Sequence, residues 1–512
     1  MNLEKQKKIV ELAKYIALSA VIGKFLSIPA NIFIAKFLGP KSFGVLAIID
    51  TIMIYFSYTN LGILMNLERQ VPIEKASLSD KEIKITYSTA FSNYCFTTLF
   101  SVILIFLAYL LGITFKTDGS ITIFLIIGFI LLTRNLNNFV SSFIKAEGEF
   151  DVFGKNSFLL SILKPILTLL LAYEFGLYGM LTALVLLNLI SALYIFYLSP
   201  TVRVFSIRWN KKKTQELFGT GIKLFLGNKL ESFLFTIGIL LISNFGSIEE
   251  VGVYSFALML ISIRQFPFSK AISIVVSREM NLVTGEKGEK NFKEFNHFFQ
   301  KNIAVYLLFV SLVMGVVLLT FILVTEFYLP KYLKAIPLMQ VFFSLVVIHS
   351  ARIYSDYFFN ATNQMEVKIK HTLAAILLSL SLGTLALYFD YGALGIAMSM
   401  VISVILTGLP QIYRAILQVS DSKKFSRILL FKLITLSILI ELLILFFSSE
   451  SWMDFLTLEE NPVIVVIKFL LSILGYILSC FCLFELFFSK FKISNYSFVF
   501  IKNVFIKNKT DA

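Results

Sequence analysis

Phe37-Leu38-Gly39-Pro40-Lys41-Ser42-Phe43-Gly44-Val45-Leu46 returns in altered form, about 207 residues later, as Phe245-Gly246-Ser247-Ile248-Glu249-Glu250-Val251-Gly252-Val253-Tyr254. A second pair, Phe175-Gly176-Leu177-Tyr178-Gly179-Met180 and Tyr391-Gly392-Ala393-Leu394-Gly395-Ile396, lies 216 residues apart. Each stretch separates two long apolar runs, and each carries glycine where a tight turn needs backbone angles that other residues resist. Two repeats in the same order, at similar offsets and in equivalent turns, read as a helical unit used twice.

The runs between those turns set the class. The chain has 512 residues, 57% hydrophobic and only 15% charged, with a mean hydropathy of +0.82. Soluble domains carry about a quarter charged residues, so soluble enzymes, fibres and disordered proteins are excluded. A bilayer-spanning helix needs about 20 mostly apolar residues. Such runs occur at 12–37, 43–65, 85–114, 119–144, 153–173, 177–198, 217–243, 251–276, 300–325, 334–359, 369–389, 392–416, 428–447 and 463–488. They are too long and too continuously apolar for barrel strands, and lipid admits little else. The predicted fold is an all-α polytopic membrane protein with 14 transmembrane helices: a six-helix bundle over 1–210, a parallel-repeat six-helix bundle over 211–420, and two extra helices with a tail over 421–512.

Charge tests that count. With the N-terminus inside, the inner connections hold 29 lysines and arginines, among them Arg69, Lys75, Lys145, Lys211, Lys212, Lys213, Lys423, Lys424 and Arg427. The outer ones hold four: Lys41, Lys116, Lys331 and Lys334. This is the positive-inside pattern, with both termini cytoplasmic. It accounts for most of the net charge of +14 without nucleic acid. Cys95, Cys480 and Cys482 lie in apolar runs and make no disulfide framework. The three histidines have no metal-ligand spacing, so no metal and no cofactor is expected. The first run is longer than a cleavable signal and reads as a retained helix.

Charges inside spans are costly, roughly 2.5–3.5 kcal/mol each at mid-bilayer on insertion scales. This chain places Lys24, Asp50, Arg134, Lys164, Lys223, Lys229, Glu231, Arg264, Lys270, Arg352 and Asp356 there. In the fourth span, Arg134, Asn137, Asn138, Ser141 and Lys145 share one helical face. An offset of 215 carries that face onto His349, Arg352, Asp356 and Asn360 in the tenth. These stripes are either walls of a hydrated cavity or inter-helix seams, with Arg352 and Asp356 bonding four residues apart.

Lys24, Ser27 and Asn31 share a face of the first span beside Pro29, and Arg264 and Lys270 flank Pro267 in the eighth. Proline removes a helix hydrogen bond and bends the helix, so Pro29 and Pro267 are candidate gating hinges with cations at the bend. Lys270 reaches either a ligand or, by snorkelling, the interface. Lys223 and Lys229 divide the same way, and Lys164 beside Pro165 stands isolated. Glu231 aligns with Lys24 across the repeat. Asp50 is either a coupling-cation site or a lysine's partner. The candidate substrate-binding set is therefore Lys24, Asn31, Arg134, Asn138, Arg264, Lys270 and Arg352, with Asp50, Glu231 and Asp356 as coupling or charge-pairing acids. No Walker loop, HExxH or GxSxG occurs. The longest outer loop, 448–462, carries only scattered acids, so no enzyme is expected.

Lys24 followed by Phe37–Gly44, then Ala146-Glu147-Gly148-Glu149-Phe150 and the Phe175–Gly179 turn, resembles the polysaccharide flippases of the O-antigen (Wzx) type. These belong to the multidrug/oligosaccharidyl-lipid/polysaccharide (MOP) exporter group. The resemblance covers the whole chain in topology and short stretches in motif. It implies a V-shaped pair of six-helix bundles working by alternating access in a bacterial inner membrane. The implied cargo is an undecaprenyl-pyrophosphate-linked oligosaccharide, the partners membrane lipids and a glycan polymerase with its assembly proteins. Lipid II flippases are also similar, placing basic substrate-binding residues on the kinds of helix that hold Lys24, Arg264 and Lys270. Drug-exporting relatives commonly carry an acid in the first helix, where this chain has Lys24.

Overall fold

The computed structural model describes residues 3–75, 80–111, 121–203, 206–263, 292–362, 364–420, 422–449, 452 and 462–488. Helices account for nearly all of them. They are α1 (Leu3–Phe56), α2 (Ile63–Glu74), α3 (Asp80–Leu110), α4 (Ile121–Glu147), α5 (Phe150–Leu198), α6 (Lys211–Phe245) and α7 (Ile248–Ile263). They continue as α8 (Phe292–Tyr328), α9 (Ala335–Phe343), α10 (Leu345–Ala361), α11 (Met365–Tyr388), α12 (Gly392–Ser420), α13 (Lys423–Phe447) and α14 (Pro462–Phe487). Among the described residues, nine helices are long and apolar enough to cross a membrane. The tenth candidate is α9 with α10, bent by 44°. The protein is a polytopic, all-helical membrane protein.

Two of these helices each hold two of the expected spans, because glycine turns the chain inside them. In α1 the break is Gly39 (φ 68°, ψ 171°), and in α5 it is Gly176 (φ 56°, ψ −135°). A Cβ on Gly179 would stand 1.8 Å from the carbonyl oxygen of Leu171, eight residues back. In a straight helix those positions are about 12 Å apart, so the chain folds back on itself there. The repeat partner of this turn uses Asp390 (φ 58°) and Gly392 (φ 53°) between α11 and α12.

Two expected spans end differently from their hydropathy. The run 43–65 stops as a helix at Phe56. A short 3-10 turn, Ser57–Asn60, follows, then left-handed Leu61 (φ 45°) and Gly62 (φ 80°). Ser57, Thr59 and Asn60 turn their side chains back onto carbonyls three residues earlier, which competes with helix continuation. The run 334–359 breaks at Ser344, whose hydroxyl donates to the carbonyl of Val341 at 2.6 Å. The eighth expected span begins in α7 and runs beyond the described residues.

The chain divides into two compact units, Met1–Ser255 and Phe256–Ala512. In the first, α1 packs along α5, with Gly23 tucked against Ser161. An apolar core from α2 to α6 gathers Ile63, Leu67, Tyr87, Phe139, Phe143, Val152 and Leu217. The repeated glycines meet in this unit: a Cβ on Gly44 would lie 2.1 Å from the carbonyl oxygen of Ile248, and one on Gly252 would lie 1.9 Å from that of Pro40. Pro40 and Gly44 correspond to Ile248 and Gly252 at an offset of 208, so the crossing is reciprocal. Close helix approach through small residues is how lipid-embedded helices associate, since lipid removes the apolar driving force between them.

In the second unit, Phe256 stacks near Phe321 and Tyr332 at ring distances of 6.0 and 4.7 Å. Tyr476 of α14 donates to the carbonyl of Ser311 in α8 at 2.9 Å. Its ring covers Gly315, where no side chain would fit. Large apolar side chains on the outside, such as Phe25, Leu193, Leu377 and Leu471, have the exposure that a lipid solvent permits.

Candidate functional site

The α4 stripe divides along its length. Asn137 accepts from Ser191 at 2.7 Å, and Ser191 in turn bonds Asn156; this part is a polar seam to α5. Lys145 pairs with Glu68 of α2 at 3.2 Å. Arg134 and Asn138 face elsewhere. Asn138 lies near the hydroxyl of Tyr94 on α3, which itself donates to Asn135 at 3.2 Å. The half-buried Arg134 makes no hydrogen bond or ion pair among the described residues.

Around Arg134 stand three further charges from three other helices. Asp50 of α1 feels the charges of Arg134 and of Lys164 on α5, and Lys229 of α6 feels that of Arg134. Asp50 and Lys164 are exposed and Lys229 half-buried, and none of the three side chains has a hydrogen bond or ion pair among the described residues. Tyrosines rim the cluster: Tyr55 bonds Thr236 at 2.8 Å, and Tyr58 reaches the carbonyl of Lys229 at 3.4 Å. Three cations thus stand with one acid, none of them hydrogen-bonded or ion-paired among the described residues, a net positive cluster whose chemistry suits an anion. Neighbouring helix charges that were satisfied by the fold would be bonded to one another.

The matching stripe on α10 is closed. Arg352 is 3% exposed and Asp356 5%. Arg352 donates from Nε to Gln411 at 3.2 Å and from Nη2 to Thr372 at 2.7 Å. Gln411 stands between the two charges, donating to Asp356 at 2.6 Å, and Lys368 approaches the other Asp356 oxygen at 3.5 Å. This polar knot ties α10 to α11 and α12. The structure therefore places Arg352 and Asp356 in a seam inside the second unit, while Arg134 stands half-buried among Asp50, Lys164 and Lys229 in the first.

Of the other predicted site residues, Lys24 and Asn31 are half-buried on α1, Pro29 is exposed inside it, and Glu231 is half-buried on α6. Lys24 and Glu231 each have interaction partners. Beside Pro29, the Ser27 hydroxyl bonds the carbonyl of Gly23. Arg264, Pro267 and Lys270 lie outside the described residues.

A second polar cluster was not read from sequence. Glu74 of α2 accepts from Lys213 of α6 at 2.7 Å, from Gln70 at 2.5 Å and from Thr86 at 2.8 Å. Burial works against the Lys213 charge, but bonds and attraction from Glu74 and Glu216 outweigh it and hold its pKa above the ordinary lysine value. Asn66 donates to the carbonyls of Glu216 and Leu217, and Gly62 lies against Gly221 so closely that a Cβ would meet its carbonyl oxygen at 2.2 Å. Together these clasp α2 to α6. The only sequence signal was glycine at 62 and 221, within runs that hydropathy alone joins.

The profile of a family described as "Polysaccharide biosynthesis protein" matches residues 33–289, half of the chain. No curated protein sequence matches. Among solved structures, the lipid II flippase MurJ in an inward closed conformation is similar with a TM-score of 0.66 at 14% identity, over 94% of this chain and 99% of that one. An inward-facing multidrug resistance MATE family transporter of the MOP superfamily is similar with a TM-score of 0.60 at 15% identity, over 80% of this chain and 99% of that one. At such identities the likeness is one of fold: the helices are arranged as in MOP superfamily transporters.

Proposed function

This chain belongs to the polysaccharide biosynthesis protein family, and on that footing we propose that it is a flippase for an undecaprenyl-pyrophosphate-linked oligosaccharide. It takes the headgroup from the cytoplasmic to the outer face of a bacterial inner membrane by alternating access, with both termini cytoplasmic. The repeat halves 1–210 and 211–420 serve as the two moving bundles, and 421–512 as an accessory pair. A glycan polymerase and assembly proteins receive the product. The observation that carries the reading is the unpaired Arg134 beside Asp50, Lys164 and Lys229. Three cations and one acid leave an excess of two positive charges, which a pyrophosphate diester with two negative charges neutralises. Charge-assisted bonds from Arg and Lys to phosphate are short and strong.

Lys24, Asn31, Asn138, Arg264 and Lys270 extend the binding surface towards the sugars. Arg352 acts by holding its own bundle together rather than by touching cargo, and Pro29 and Pro267 supply the bends. Asp50, with Glu231, is the group whose charge state or bound cation couples release to an ion gradient. Moving the headgroup needs no bond made or broken.

The test is glycan export in cells carrying Lys24→Ala or Arg134→Ala, with membrane insertion measured alongside. Export falls at least tenfold at unchanged protein level; export unaffected by both variants overturns the reading. A lipid II flippase is the second reading, favoured by the near-complete mutual coverage with that fold. Growth rescue of cells depleted of their own lipid II flippase separates the two.

A further inference from the structure

We propose that the outer groove between α13 and α14 is a binding site for an anionic glycerophospholipid of the surrounding membrane. The groove has a volume of about 580 Å³ and is lined by Arg427, Ile428, Phe431, Lys432 and Thr435 from α13 with Leu486 and Phe487 from α14. The α13 residues follow the spacing of one helical face. Ile428, Phe431 and Leu486 are 48%, 70% and 73% exposed, a surface made for acyl chains. The two cations are the anomaly. Lys432 lies about 15 Å along α13 from its Ser422 cap, by the helical rise, where a lysine facing lipid is costly.

Its ammonium donates to the carbonyl of Phe487 at the end of α14, 3.0 Å away. That carbonyl is neutral, and lysine has two more N–H donors to satisfy. Neither Lys432 nor Arg427 has an acidic partner among the described residues. Two cations of one sign above an apolar trough call for a single amphiphile with an anionic phosphodiester and chains that lie along Phe431 and Leu486. Basic pockets between membrane helices hold anionic headgroups in this way. Lys423, Lys424 and Arg427 mark this end of α13 as cytoplasmic by the charge rule, so the lipid comes from the inner leaflet. The groove shares no residue with the charged cluster of the first unit, and its occupancy does not depend on what is transported.

The experiment is native mass spectrometry of the purified full chain titrated with phosphatidylglycerol, phosphatidylcholine or undecaprenyl phosphate. Phosphatidylglycerol binds at least tenfold tighter than phosphatidylcholine, and the preference falls below threefold in the double variant Arg427→Gln, Lys432→Gln. It persists in Lys423→Gln, Lys424→Gln, which removes the same charge outside the groove. A Phe431→Trp variant gives an independent reading: its fluorescence is quenched by brominated phosphatidylglycerol more than by brominated phosphatidylcholine. Equal binding of the two phospholipids, equal loss in the control variant, equal quenching, or displacement of phosphatidylglycerol by undecaprenyl phosphate would each overturn the proposal.

Discussion

The stripes on α4 and α10 begin from matching sequence and end in opposite states. Both carry an arginine on one polar face, but one turn apart in register: at the offset of 215, Arg352 stands where the first unit has Asn137, and His349 where it has Arg134. In the second unit Gln411 and Thr372 reach across from α12 and α11 and bond Nε and Nη2 of Arg352, while its Nη1 is buried without a partner. In the first, Asn137, at the register of Arg352, is bonded by Ser191 of α5, and Arg134 one turn earlier has no hydrogen bond or ion pair among the described residues. The internal repeat therefore keeps a polar face while changing both the residues on it and what they bond. What differs is the facing helix, and the facing helix decides whether a cation is bonded into the fold or left without a partner.

The largest effect expected from this contrast is in the closed stripe. Arg352→Met strands the Gln411 side-chain oxygen and the Thr372 hydroxyl inside the bundle, and breaking a buried charged network costs about 3–5 kcal/mol. Thermal unfolding in detergent should show this as a clear loss of stability, and an unchanged midpoint would dissolve the distinction between the stripes. Arg134→Met removes no bond of the fold and should leave the midpoint within about 0.5 kcal/mol, as for substitutions away from stabilising contacts.

The α2–α6 clasp supplies an intermediate case inside the first unit. Lys213→Met deletes charge-assisted bonds to Glu74, a loss of about 1.5–3 kcal/mol. Because the folded pKa of Lys213 is raised, its contribution is complete below the unfolded lysine value near 10.4 and fades as pH rises through the folded value. The gap between wild type and Lys213→Met is thus flat from pH 6 to 9 and closes only above about 10.4. Unfolding measured across that range checks it; a gap that closed near neutrality would mean that the pair is not what holds the helices.

The smallest effect is at Gly408 of α12, beside the closed stripe. A Cβ there would meet the side chain of Arg352 at 3.5 Å, an ordinary contact, and alanine favours a helix over glycine by about 1 kcal/mol. Gly408→Ala should be neutral or slightly stabilising. The reciprocal crossing sharpens this: Gly44→Ala or Gly252→Ala drives a methyl into backbone at about 2 Å and should depress folded yield. Equal tolerance at 408 and 44 would show that the crossing yields freely.

Much of this fold was legible because lipid imposes it. The long apolar runs became helices, and Gly39 and Gly176 turned the chain where the repeats had marked it. The breaks at Gly62 and Ser344 were not legible, since Ser, Thr and Asn side chains ended those helices from within runs that hydropathy reads as continuous. For the site, periodicity put Arg134 and Arg352 on polar faces, yet a face says nothing of what it meets. Gln411 lies 59 residues from Arg352 and carries no signature of its own. Lys164, isolated in sequence, gained meaning only when folding brought it within reach of Asp50.

Whether the unpaired cations of the first unit hold a phosphorylated headgroup is decided by the binding of undecaprenyl pyrophosphate to purified wild type and Arg134→Gln. The expected result is an affinity at least tenfold weaker in the variant, with its unfolding midpoint unmoved. Undiminished affinity, or a midpoint that drops as it does for Arg352→Met, would contradict it.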